Sequence, residues 1–139
     1  MFSKEQLEGI LLTVARPEVT IYRSERSKSG YTVRVRVMFR AKRDFLIALQ
    51  RRFEQVNIKS ILRDSEGVNR DKPVLIVGQK TSINILRNFM SKNIPCSHSN
   101  WDKFDIVIEY LNDGLHLEDN GMDRLIEMIE NVEQDQDER

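Results

Sequence analysis

Residues 3–15 read SKEQLEGILLTVA and lead through Arg16 and Pro17 into EVTIY at 18–22. Leu7, Ile10, Leu11 and Val14 recur at the three- and four-residue intervals of one helical face, so Ser3–Ala15 predicts a short apolar helix. Gly9 and Thr13 lie four apart and share a face on which small side chains let another helix approach closely. The spacing leaves two uses open: cover for the domain's own core, or a contact between subunits.

Outward from that helix, Pro17 marks a boundary, because its ring fixes φ and disfavours helix in the residue before it. From Glu18 to Ser24 the chain alternates, Val19 and Ile21 on one side and Thr20, Tyr22 and Ser24 on the other, as a half-buried strand does. A polar turn, Glu25–Gly30, carries Arg26 and Lys28. Tyr31–Phe39 resumes the alternation: Val33, Val35, Val37 and Phe39 face a core, while Thr32, Arg34, Arg36 and Met38 face away. Arg34 and Arg36 therefore stand on one sheet face about 6.6–7 Å apart, a spacing that suits neighbouring phosphates or base edges in a major groove.

Lys42–Phe53 predicts a helix with Phe45, Leu46, Leu49 and Phe53 on its inner side. A short strand over Ile58–Arg63, a polar turn DSEGVNRDK and an apolar strand over Pro73–Val77 make a second hairpin, with Lys59, Arg63, Arg70 and Lys72 on or beside it. Thr81 can cap a helix to about Ser91. After the irregular stretch KNIPCSHSNW, the stripe Phe104, Val107, Ile108 and Leu111 predicts a helix ended by Gly114, and a last helix spans Asn120–Val132. Residues 1–133 are expected to form one domain, with 134–139 a disordered acidic tail. The order helix, strand, strand, helix, strand, strand, helix with two appended helices predicts an α+β fold. Its curved antiparallel sheet is covered by helices on one face and left bare and basic on the other.

The total charge of zero hides a division along the chain. Residues 1–97 hold 19 Lys and Arg against 9 Asp and Glu, net +10; residues 98–139 hold 3 against 13, net −10. A body so basic is the electrostatic footprint of a polyanion binder, although solvated faces segregated by sign give the same totals. No run approaches the roughly 18 apolar residues of a membrane span, and Ser3, Lys4, Glu5 and Gln6 stand near the start where a signal core would be apolar, so a cytoplasmic protein with no membrane partner is expected. Cys96 is the sole cysteine; beside only His98 and His116 it makes neither a disulfide nor a zinc set, and no metal site is expected.

On these residues the chain resembles the LAGLIDADG homing endonuclease family over nearly its full length. LEGILLTVA matches the first half of the family motif at Leu7, Gly9, Ile10 and Leu11; KPVLIVGQKTSINILRNF is similar to the second hairpin strand and following helix; LHLEDNG matches an HLT-x-x-G signature at His116, Leu117 and Gly121. The resemblance implies an αββαββα saddle lying across double-stranded DNA, and, with a single motif, a homodimer joined through Leu7, Gly9, Ile10 and Thr13. It implies DNA contacts at Arg34, Arg36, Lys59 and Arg63, with flanking phosphate contacts at Arg23, Arg26, Lys28, Arg70 and Lys72.

The match fails at one place. The family's nuclease chemistry rests on an acidic residue at the end of the motif helix, where two carboxylates hold divalent metal. Aligned on LEGIL that position is Val14, and aligned on the following strand it is Arg16. Neither binds Mg²⁺, which leaves Glu18, beyond the helix and after Pro17, as the one weak catalytic candidate. The expectation is a DNA-binding homodimer without nuclease activity and without a cofactor. The alternatives are an active Mg-dependent endonuclease, an RNA-binding splicing cofactor of the maturase type, and a protein-interaction module.

Overall fold

The computed structural model describes residues 2–23, 30–90 and 100–137. The element order is α1 (Lys4–Thr13), β1 (Ala15–Arg23), β2 (Tyr31–Arg40), α2 (Arg43–Gln55), β3 (Ile61–Arg63), β4 (Val74–Val77), α3 (Lys80–Arg87), α4 (Asn100–Asn112), a single 3₁₀ turn (Leu115–Leu117) and α5 (Gly121–Asp137). This is the αββαββα succession expected, followed by the appended helices. The four strands form one sheet in the order β1-β2-β4-β3. By contacts the chain packs as two compact units, Met1–Pro17 with Arg36–Ser97 and Glu18–Val35 with His98–Arg139. No helix among the described residues is long and apolar enough to cross a membrane.

In the first unit Ser3 opens α1 with a capping box. Its hydroxyl accepts from the Gln6 N–H at 3.1 Å, while Gln6 Oε1 accepts from the Ser3 N–H at 2.8 Å, so two otherwise orphaned donors are satisfied. The helix then buries Leu7, Leu11 and Leu12. Leu7, 1% exposed, belongs to the chain's own core and has no surface to offer a second chain, whereas Gly9 and Thr13 are exposed and Ile10 is half-buried. Ahead of α1, Phe2 meets Phe45 edge-on at 5.4 Å and its carbonyl accepts from Arg52 Nε at 2.8 Å, which ties the start of the chain to α2.

Pro17 does not mark the boundary expected of it: β1 starts at Ala15 and runs through it. The strand order puts β1 at the sheet edge, where the N–H that proline lacks need not enter a ladder. The expected strand at Ile58 also starts later, at Ile61. Asn57, at φ 64°, takes the left-handed conformation and ends α2: its N–H donates to the Glu54 carbonyl at 3.2 Å and the Ile58 N–H donates to the Phe53 carbonyl at 2.9 Å. This is a Schellman stop with asparagine in the usual glycine place, and its apolar contact pair, Phe53 and Ile58, is buried. Ile58 is thus part of a helix stop.

β4 pairs on both sides, antiparallel to β2 and to β3, and its four residues, VLIV, are all buried. A continuous apolar run is what a central strand covered on both faces requires. α3 starts at Lys80 after Gln79, so Thr81 is not its cap.

In the second unit α4 buries Trp101, Phe104, Val107, Ile108 and Tyr110, with Trp101 and Phe104 edge-to-face at 5.3 Å. Gly114 at φ +70° follows α4 as expected. Its partner α5 buries Met122, Leu125 and Ile129 and continues to Asp137, beyond the expected stop at Val132. The Tyr110 hydroxyl, donating to the Gly121 carbonyl at 2.7 Å in a buried setting, fastens the start of α5 to α4.

Candidate nucleic-acid interface

Strand register sorts the side chains of the first unit onto two faces. Val37 lies opposite Val77, Phe39 opposite Leu75, and Leu75 opposite Leu62. Phe39 meets Phe53 of α2 edge-on at 5.4 Å, so this is the helix-covered face. The alternate set, Met38, Ile76 and Ile61 in one row and Arg40, Val74 and Arg63 in the next, points the other way. Arg36 continues that face beside Gly78: a Cβ on the glycine would lie 3.9 Å from Arg36 Cγ.

The second face is basic but not bare. Met38, Val74 and Ile76 form a buried apolar cluster on it. Arg40 Nη2 donates to Met38 Sδ at 3.5 Å, and the same guanidinium grips Glu66 of the β3–β4 loop through Nε, at 2.9 and 3.1 Å to the two carboxylate oxygens, and Nη2, at 2.8 Å. Arg70 Nε reaches the second oxygen of Glu66 at 2.9 Å. The loop backbone closes on itself at the same point, with the Glu66 N–H donating to the Arg70 carbonyl at 2.8 Å. Arg43 and Asp64 pair nearby, both largely in solvent, where such a pair contributes little.

Glu66 is the exception among these carboxylates, with its side chain only 13% exposed. Hydrogen bonding from Arg40 holds its carboxyl below the ordinary value of 4.5; burial opposes this, and the charges of Arg40, Arg70 and Arg36 add to the lowering. A folded-state value below the unfolded one means that the group stabilises the fold above the unfolded pKa, a contribution lost as pH falls through the folded value. The thermal midpoint of the wild type is therefore expected to exceed that of Glu66→Gln at about pH 7, and the gap is expected to close only as pH falls below the ordinary 4.5 and on through the lowered folded-state value, where the carboxyl becomes as neutral as the amide. A gap that stays constant across that range would sink this account of the loop anchor.

The residues singled out from sequence fall in different settings. Arg34 is exposed on β2 with Nη2 3.9 Å from Glu18 Oε1, and Arg36 is half-buried. Arg63 is exposed on β3. Lys59 lies before that strand, not on it, and its backbone N–H donates to the buried Ser82 hydroxyl at 2.9 Å. Arg23 is exposed at the end of β1, Lys72 is exposed in the β3–β4 loop, and Arg70 is bound to Glu66. Arg26 and Lys28, with Cys96 and His98, lie outside the described residues. Arg40 and Glu66 escaped the sequence reading. The signal for Arg40 was the next outward step of the Arg34, Arg36, Met38 alternation, which the reading ended at Phe39.

At the end of α1, Val14 is the half-buried C-cap residue. Arg16 is exposed, and its Nη1 donates to the carbonyls of Thr13 at 2.7 Å and Ala15 at 3.1 Å, placing a cation at the negative end of the helix dipole. Glu18 accepts from the Thr20 hydroxyl at 3.4 Å.

The order of elements, the antiparallel four-stranded sheet and the appended helices are the fold of the LAGLIDADG homing endonucleases. The chain is similar to the homing endonuclease I-TnaI at 20% identity and a TM-score of 0.73, with 99% of this chain and 97% of that one covered. It is similar to the archaeal intron-encoded I-Vdi141I, solved in complex with DNA, at 18% identity and a TM-score of 0.76, covering 94% and 82%. Against I-LtrWI, solved bound to target DNA, identity is 20% and the TM-score 0.70, and the chain spans 43% of that protein's length. No protein-family model and no curated protein sequence matches the chain.

Proposed function

We propose that the chain binds duplex DNA through its outward strand arginines, as a homodimer joined by the exposed side of α1, and does not cleave it. The observation that carries the binding reading is the set of guanidinium groups on the face opposite α2, Arg40 and Arg63 in one cross-strand row and Arg36 farther along β2 beside Gly78. Phosphate neutralisation by such groups supplies most of the affinity and makes it fall steeply with salt, while guanidinium forks on a sheet can pair with guanine edges. I-Vdi141I and I-LtrWI, which share the fold, were solved on DNA.

The end of α1 supports binding without cleavage. Mg²⁺ asks for oxygen ligands, above all carboxylates, in octahedral array. The side chains available at the motif position are aliphatic in Val14 and cationic in Arg16, and Arg16 already occupies the carbonyls of Thr13 and Ala15. This donor set does not suit the ion. Glu18, the next carboxylate, sits in β1 beside Arg34.

The subunit contact rests on Gly9. A Cβ there would meet nothing within 4 Å, so the protomer itself has no packing need for glycine. Glycine inside a helix costs about 1 kcal/mol relative to alanine, and close approach of a second α1 against Gly9 and Thr13 offsets that. Leu7 is left out of this contact.

The test joins sedimentation, duplex binding at several salt concentrations and plasmid nicking with Mg²⁺ or Mn²⁺. A dimer whose affinity drops with salt and which leaves the plasmid intact is expected. Nicking abolished by Glu18→Gln would overturn the absence of cleavage, a monomer on DNA would overturn the α1 contact, and preference for structured RNA over duplex would replace DNA as the ligand.

A further inference from the structure

Two arginines, Arg40 and Arg70, bind one carboxylate, Glu66, on the face opposite α2. Nothing in the requirements of a phosphate-binding surface calls for an acid at its centre; like charge repels the backbone of DNA. An acid mainly out of solvent with three contacts to Arg40 and one to Arg70 does something else. It fixes guanidinium groups that otherwise swing on long flexible arms, and it cancels charge that otherwise attracts any phosphate.

On the reading that this face meets duplex DNA, we propose that Glu66 is a positioning residue that stands in for a phosphate, withholding Arg40 and Arg70 from indiscriminate backbone contacts and holding Arg40 for a base edge. The geometry of Arg40 suits that division. Glu66 takes its Nε and Nη2 hydrogens, and Met38 Sδ receives Nη2 as well, so the Nη1 donors remain for an acceptor such as guanine O6 or N7. Arg70, read from sequence as a phosphate contact, becomes a strut within the loop, with its Nε on the Glu66 carboxylate and its carbonyl accepting from the Glu66 N–H.

The experiment compares wild type, Glu66→Gln, Glu66→Asp and Arg40→Gln/Glu66→Gln on a preferred duplex, selected from a random pool by the wild type, and on random duplex across salt. Glu66→Gln is expected to bind random duplex about tenfold tighter and to steepen the dependence of log K on log salt by about one to two, because each phosphate newly neutralised contributes about 0.9. Its preference for the selected duplex falls accordingly. Glu66→Asp keeps the charge and is expected to keep the wild-type slope; the double variant is expected to lose the gain. A lower thermal midpoint with unchanged slope and preference assigns Glu66 a structural role alone and overturns the proposal, as does a Glu66→Asp slope as steep as that of Glu66→Gln. Complete absence of salt-dependent duplex binding by the wild type overturns the DNA reading together with this one.

Discussion

Replacing Arg34 and Arg36 together by glutamine is expected to weaken duplex binding by about one to three orders of magnitude at moderate salt and to flatten the salt dependence by about two charges. Both belong to β2 and lie two residues apart, the spacing at which side chains of a strand share a face. The substitution is chosen to spare the fold. Arg34 is exposed, and its approach to Glu18 at 3.9 Å between two partly solvated groups stabilises little. Arg36 is half-buried, but glutamine retains the methylene that lies beside Gly78. A thermal midpoint close to wild type alongside the lost affinity identifies a surface effect. Affinity unchanged on every duplex tested would remove β2 from the interface. A loss confined to a few sequences, with the slope unaltered, would move these arginines from phosphates to base edges.

Where local chemistry and tertiary setting agreed, the fold was legible in advance. The Val33, Val35, Val37, Phe39 alternation, the VLIV run of the central strand and the Phe45 to Phe53 spacing each have one physical solution, and the sequence order then dictates αββαββα. The misreadings share a cause as well. Pro17 breaks a strand only if its missing N–H is needed, and sheet order, invisible locally, places it at an edge. Ile58 begins an apolar alternation, yet Asn57 in a left-handed conformation turns it into a helix stop, which carries Lys59 off the strand. Leu7 and Gly9 occupy one short helix, and periodicity could not say which side meets the core. On the candidate face, arginines announced themselves by alternation. Glu66 did not, because its meaning comes from Arg40, 26 residues earlier in the chain.

Gly121→Ala is expected to destabilise the second unit by about 3 kcal/mol or more, the upper range for added bulk in a packed site. Gly121 is the glycine of the LHLEDNG stretch, and the reason for it lies in the 3₁₀ turn at Leu115–Leu117. A Cβ at this position would overlap the Leu115 carbonyl oxygen and lie 3.1 Å from the Leu115 carbonyl carbon and 3.2 Å from His116 Cα. All three are backbone atoms, so no side chain can rotate aside, and either the turn or the first residues of α5 must move. Movement of α5 pulls the Gly121 carbonyl from the Tyr110 hydroxyl at 2.7 Å and lifts Met122 and Leu125 from the core. Trp101 is the only tryptophan in the chain and is buried against Phe104 of the same unit, so its emission follows this unit through urea unfolding. The Trp101 transition is expected at clearly lower urea in Gly121→Ala. Gly9→Ala supplies the contrast: its new methyl meets nothing within the chain and adds up to about 1 kcal/mol of helix propensity, so urea stability of the single chain should hold or rise. Equal midpoints for wild type and Gly121→Ala would mean that the turn yields to the methyl, and that the glycine there has a cause other than this backbone approach.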